Sequence, residues 1–469
     1  MSERVGAAAS GLSGPADEVG VSGPRGKTSP SAPHERANHQ ALRLTWTLPE
    51  ELLPYELMAL RDEGHDVSEV EAGWAAAGGR LAAPVEGASV PGDPALRPLA
   101  LELLDAVPVP VTPPLTVEPE PYPGARPDPE RLLGAWTGRA VGCVLGKPVE
   151  KIPRRGIREI LRATGRWPLS QYFTAEGLPR DVAERWPWNR RSATNSLVEN
   201  IDGTPEDDDL NFAFLALRLL EEHGRDFTSA DVAQAWLDWL PAGRVFTAER
   251  VAYRNLLLGL TPPETALHHN PFREWIGAQI RADVYGWASP GRPRNAAALA
   301  YRDAVVSHVG DGVSGAMWVA ALTSAAVVAS TVDEVLDAGE SVLPGGPFAA
   351  AVTEARRLAG DWESVVDAIA KRHGHLHWVH VRNNAALVAA ALAHSGGDFD
   401  RGICAVVSGG GDTDSNGATV GSVLGALSGA SAIGPEWTAP LKGRLRSGVG
   451  GFDGVTFEEL AVRTAEVAR

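Results

Sequence analysis

The sequence predicts an all-α protein: a multi-helix main domain with a small helical N-terminal extension. Three observations carry this. From Leu210 the apolar residues Leu210, Ala213, Phe214, Leu217 and Leu220 recur at i, i+3, i+4, i+7, the stripe of a half-buried helix. Alternating strand-like runs between turn signals are scarce. Alanine is frequent in the periodic segments, and its small side chain lets helices approach closely.

Taken in order, residues 1–40 are rich in Gly, Ser, Ala and Pro without apolar periodicity and read as a disordered tail. Residues 41–107 read as a small helical region. Leu52, Leu53, Tyr55, Leu57, Met58 and Leu60 form one stripe after Pro49, and Leu99, Leu101, Leu103 and Leu104 form another. Residues 108–128 form a linker, since nine of the 35 prolines lie between Pro108 and Pro129. Proline locks the backbone and removes donors, so an extended, semi-rigid stretch is expected. Residues 129–469 form the main domain, with helices expected at 131–143, 230–240, 296–306, 315–329, 384–393, 418–427 and 457–468.

Composition narrows the function. Lys plus Arg is 43 against 59 for Asp plus Glu, a net charge of -16. Such a chain is a poor match for nucleic-acid phosphates or an anionic membrane surface, so neither is expected as a partner. Any anionic ligand needs a local pocket of donors. Cys143 and Cys404 stand far apart, which excludes a disulfide framework and a thiolate zinc cluster and fits a reducing cytoplasm. No apolar run reaches the ~18–20 residues of a membrane span. The first residues lack the order of a signal peptide, and Glu3, Asp17 and Glu18 disfavour a mitochondrial transit segment.

Four segments carry candidate chemistry. Glu206-Asp207-Asp208-Asp209 precedes an apolar helix. It reads either as an N-terminal cap or as a site for a hard cation, because four adjacent acids repel one another. Gly409-Gly410-Gly411-Asp412-Thr413-Asp414-Ser415-Asn416-Gly417 reads either as a polar turn or as oxygen ligands of the kind Mg²⁺ or Mn²⁺ prefers. Residues 138–150 look like a phosphate loop but lack its spacing and its Ser/Thr after Lys147, so the glycines are read as close-packing positions. Glu150 ends that segment as a candidate acid. Residues 307–315, a small-residue loop before a helix, read either as a simple turn or as backbone donors to a phosphate. His373, His375, His377 and His380 read as imidazoles on a partly solvated helix edge rather than as zinc ligands.

Together, and in the chain order Gly142–Glu150, Glu206–Asp209, His308–Gly315 and Gly410–Asn416, these motifs resemble those of the ADP-ribosylglycohydrolases, over roughly residues 129–441. The acidic quartet, followed about 200 residues later by Gly-Gly-Asp-Thr-Asp-Ser-Asn, is the specific part. The resemblance implies an all-α hydrolase that cleaves the glycosidic bond of ADP-ribose on a protein or small molecule, using two Mg²⁺ or Mn²⁺ ions. It implies metal ligands at Glu206, Asp207, Asp208, Asp412, Asp414 and Ser415, with Glu206 in place of a hydroxyl ligand. It implies a catalytic or gating acid at Glu150. Cys143 stands where relatives often carry an acid. Lys147, Arg281 and the loop of Gly310, Asp311 and Gly312 are then expected to meet the substrate's phosphates, and Tyr285, Trp287 or Trp318 to stack on adenine. Residues 277–283 and 380–384 look like pocket-lining loops of relatives. Two other functions fit the same residues: hydrolysis of another nucleoside or nucleotide, and a non-catalytic ADP-ribose-binding module.

Overall fold

The structure is a computed structural model and describes residues 45–85, 89–108, 111–189 and 192–469. The expected tail at 1–40 lies outside the described residues. The fold is all-α. Among the described residues, β pairing is confined to isolated bridges such as Trp275 with His380. Ten helices position the core and the site: α1 Pro49–Asp62, α2 Ser68–Ala76, α3 Arg97–Ala106, α4 Pro129–Gly146, α5 Asp208–His223, α6 Thr247–Leu257, α7 Gly310–Ala326, α8 Val381–Ser395, α9 Thr413–Ser428 and α10 Phe457–Val467.

At the centre α4 and α9 run antiparallel, backbone against backbone. A Cβ on Gly134 would lie 2.1 Å from Gly425 O, on Gly138 2.1 Å from Gly421 O, on Gly142 1.9 Å from Gly417 O, and on Gly146 2.1 Å from Thr413 O. Glycine every fourth residue leaves a groove along each helix, and only that groove lets the backbones come so close. Thr413 Oγ1 closes the register by donating to Gly146 O at 2.8 Å. The contact sets the last turn of α4, with its Lys147–Val149 3₁₀ extension, beside the first turn of α9. Two motifs far apart in sequence thereby meet.

Helix α7 begins at Gly310, five residues before the expected start. Its first residues make no side-chain cap of their own; Glu274 Oε1 accepts from Asp311 N at 3.0 Å instead. The cap comes from elsewhere in the chain, so local sequence does not display it.

Helices α1 and α3, with Val67 and Trp74, bury an apolar face of Leu52, Leu53, Tyr55, Leu57, Leu60, Ala100 and Leu104. That face shares one cluster with Ala248, Val251, Phe272, Trp275, Ile276, Ile280 and Val379. Buried ion pairs cross the same boundary, with Arg273 donating to Glu56 Oε1 at 2.8 Å and to Glu63 Oε1 at 2.9 Å. Residues 111–128 run without helix or strand. They are fastened by Tyr301 OH to Pro113 O at 2.8 Å, Asn295 Nδ2 to Glu120 O at 2.6 Å, and Ala125 N to Ala468 O at 2.7 Å. No helix among the described residues is long and apolar enough to cross a membrane.

Candidate active site

The α4–α9 contact opens onto a cavity of about 560 Å³. Lys147, Glu150, Glu206, Asp207, Asp208, Asp209, Asp412, Asp414 and Ser415 all line it. Donor atoms of Cys143, Asp207 and Asp209 lie within 4.8 Å of one another, as do those of Glu150, Asp412 and Asp414; Asp208 lines the cavity outside both groups. Ser415 links them, its Oγ donating to Asp209 Oδ2 at 3.3 Å.

Each acid has a distinct setting. Asp207 is the cap of α5, its Oδ1 accepting from Asp209 N at 3.0 Å, while Oδ2 takes the Lys147 ammonium. Lys147 also donates to Glu206 O at 2.8 Å. Asp412 stands at the cap position of α9, yet its carboxylate makes no capping bond. Its backbone N–H donates instead to Asn384 Oδ1 at 2.9 Å. The Asp412 carboxyl shares a hydrogen bond with the Asp414 side chain. Asp209 Oδ1 is buried with no hydrogen-bond partner and has Arg139 at 3.6 Å. Glu206 stands apart from both donor groups, with Arg244 at 3.2 Å and Asn211 Nδ2 donating at 3.2 Å.

The electrostatics follow from crowding. Burial, then the neighbouring carboxylates, push Asp208, Asp209 and Asp412 well above the usual carboxylate range. Burial, Glu150 and Asp207 push Asp414 up to about 7. Asp207 goes the other way: burial opposes its charge, but the Lys147 ammonium and the hydrogen bonds with Asp209 together outweigh burial. Buried like charges cannot all ionise unless a cation joins them. Oxygen donors at this spacing, an uncapped Asp412 and an orphaned Asp209 oxygen suit a hard divalent ion.

Glu150 is held by Asn189 Nδ2, which donates to Oε2, and by Lys151 Nζ 3.2 Å from Oε1. Asn189 has no motif around it and was not legible in the sequence. Asn384 belongs to the 380–384 segment; it orients both Asp412 and Asn416, whose Nδ2 donates to Asn384 Oδ1 at 2.7 Å. Arg139, inside the 138–150 segment, ties Asp209 O at 2.6 Å to Asp283 Oδ2 at 2.9 Å.

Several expected substrate contacts lie elsewhere. Arg281 is 1% exposed and does not line the cavity. It donates to Glu249 Oε1 at 2.6 Å, Asp303 Oδ1 at 2.5 Å and Ser307 Oγ at 2.9 Å, so its charge is consumed in the core. It braces Glu249, which does face the cavity. Gly310, Asp311 and Gly312 also stand off the cavity lining. The Asp311 amide is taken by Glu274, and the Asp311 carboxylate by Arg382, whose Nε donates at 2.6 Å. Tyr285, Trp287 and Trp318 are fully buried in the core. The aromatic residues that do line the cavity are Trp46, Phe246, Trp275 and Trp378.

Buried carboxylates thus converge from the N-termini of α5 and α9 on one cavity of an all-α domain. The family profile described as ADP-ribosylglycohydrolase matches residues 125–468, and the chain belongs to that family. It is thus a glycohydrolase-type enzyme in general. A solved structure described as "ADP-ribosylglycohydrolase-related protein complex" is similar at 20% identity and a TM-score of 0.47, covering 73% of this chain and 99% of that one. No curated protein matches.

Proposed function

We propose that this chain hydrolyses the glycosidic bond of ADP-ribose carried by a protein or small molecule. In this reading Asp207, Asp208, Asp412, Asp414 and Ser415 would hold two Mg²⁺ or Mn²⁺ ions, with Glu206 beside Arg244. The observation that carries it is the convergence of the acidic quartet and the Asp412–Ser415 turn on one cavity with Glu150. When bound, such ions hold substrate oxygens and lower the pKa of water.

The protein's own groups do the rest. Glu150, oriented by Asn189, exchanges the proton at the reacting centre. The water oxygen bonds to the anomeric carbon, the glycosidic bond breaks, and the leaving atom is protonated. Carboxylates around the cavity favour the positive charge that develops on the ribose ring. Asn384 and Ser415 keep the acids aimed. One observation favours a second reading, a binding module without turnover: both Asp207 oxygens are already engaged, by Lys147 and by the Asp209 amide.

The test is release of free ADP-ribose from nitrogen- and oxygen-linked ADP-ribosyl substrates, with nucleosides and nucleotides in parallel. Release is expected with Mg²⁺ or Mn²⁺ and not with excess chelator. Glu150→Gln is expected to be slower by ~10²-fold or more. Cleavage of nucleosides alone would move the substrate class, and no release from any substrate would favour the binding module.

A further inference from the structure

The cavity lining divides into two chemistries. One is the carboxylate network already described. The other is aromatic: Trp46 meets Phe246 edge-on at 6.0 Å, Trp275 stacks on His377 at 4.4 Å and 9°, and His377 touches Trp378 at 5.6 Å. Of these rings, Trp46 alone comes from the N-terminal extension, ahead of the family-matched residues 125–468.

The extension holds Trp46 firmly. Its backbone N–H donates to Ser89 Oγ at 2.8 Å, and that hydroxyl donates to Glu51 Oε2 at 2.6 Å. On either side, Arg250 donates to Thr45 Oγ1 at 3.1 Å and Arg254 to Thr47 O at 3.0 Å. Arg250 also lies over the Trp46 and Phe246 rings, at 5.5 and 5.6 Å. Both arginines belong to α6, whose first residues Thr247 and Glu249 line the same cavity. Trp46 adopts a left-handed φ of 60°, which bulky residues rarely take. Such a conformation persists only where the surroundings over-determine it. A second cavity ring is tied to the extension as well, since Trp378 Nε1 donates to Val85 O at 2.7 Å. Trp46 packs against the apolar cluster of the extension and lines the cavity as well, so one residue joins the extension's core to the site.

We infer that the N-terminal extension contributes to the binding site through Trp46, a specificity-determining residue that packs against a flat heteroaromatic ring of the ligand, a purine base. This rests on the ADP-ribosyl reading for the identity of the ring. The tryptophan supplies a π face, and the rigid segment supplies it without ordering cost on binding.

The experiment is calorimetric binding of ADP-ribose, AMP and ribose 5-phosphate to the full chain, for wild type, Trp46→Ala and Trp46→Phe, with melting curves to confirm folding. Trp46→Ala is expected to weaken ADP-ribose and AMP by about tenfold or more, the size of a lost base–aromatic stack. Ribose 5-phosphate, which lacks the base, should bind as before. Trp46→Phe should keep affinity within about threefold, since a π face remains. Wild-type affinity in Trp46→Ala, equal losses for all three ligands, or no purine binding by the wild type would overturn the inference. Hydrolysis is not read here, so the two claims separate. Purine binding through Trp46 without turnover of any substrate would leave the inference standing and remove the hydrolase reading. Turnover with unchanged purine affinity in Trp46→Ala would do the reverse.

Discussion

Arg281 and His377 show what single residues do once their neighbours are known. A lone arginine in a candidate loop invites a phosphate contact. Its partners Glu249 and Asp303 lie 32 and 22 residues away, and together they turn it into a buried brace. His377 lies in a histidine-rich stretch that invites a metal or a solvated edge. In the fold it stacks on Trp275, and burial holds its imidazole down to about 4. An unfolded His377 takes its proton near the ordinary value of about 6.5. Between those two values the unfolded chain binds more protons, so this residue's contribution to stability is lost as pH falls from 6.5 towards 4. Replacing His377 by Phe keeps a ring on Trp275 and removes the titration. The melting temperature of His377→Phe relative to wild type should therefore rise between pH 7.5 and pH 5, by about 2 °C. A pH-independent difference would show that the imidazole is not held neutral.

At the scale of elements, the decisive contact is the glycine groove between α4 and α9. Its residues were readable: glycine at every fourth position of the first motif pointed to close packing. The partner helix was not, because spacing within one segment carries no record of the other. The same limit explains the late expected start of α7, whose cap is the distant Glu274. Long periodic segments such as α5 and α10 were legible to within a few residues, since burial on one helical face leaves its period in the sequence. Gly142→Ala would force a methyl to 1.9 Å from Gly417 O, where only backbone movement can relieve it. The expected cost is about 3 kcal/mol, the upper end for overpacking. Calorimetric melting checks it, with a parallel loss of Mn²⁺ affinity as Glu150 moves from Asp412. A melting temperature within a degree of wild type would mean that the helices are not in backbone contact.

For the whole molecule, the net charge of -16 argues against polyanionic partners without locating any site. The acids that matter were legible as two motifs; that Cys143, Asp207 and Asp209 gather in one group and Glu150, Asp412 and Asp414 in another was not. Nor did any motif mark Trp46 or Asn189, whose roles arise only when separate parts of the chain enclose the same cavity. The central claim is that this convergence holds divalent cations. It is tested most directly by calorimetric titration of Mn²⁺ into the chelator-treated protein, comparing wild type with Asp208→Asn and Asp414→Asn. Saturable uptake is expected in wild type. Each variant lacks an oxygen that the proposal assigns to the ions, and should bind more weakly by at least the ~10- to 100-fold that an outer-shell partner costs. No uptake by the wild type, or equal affinity in all three proteins, would contradict the account.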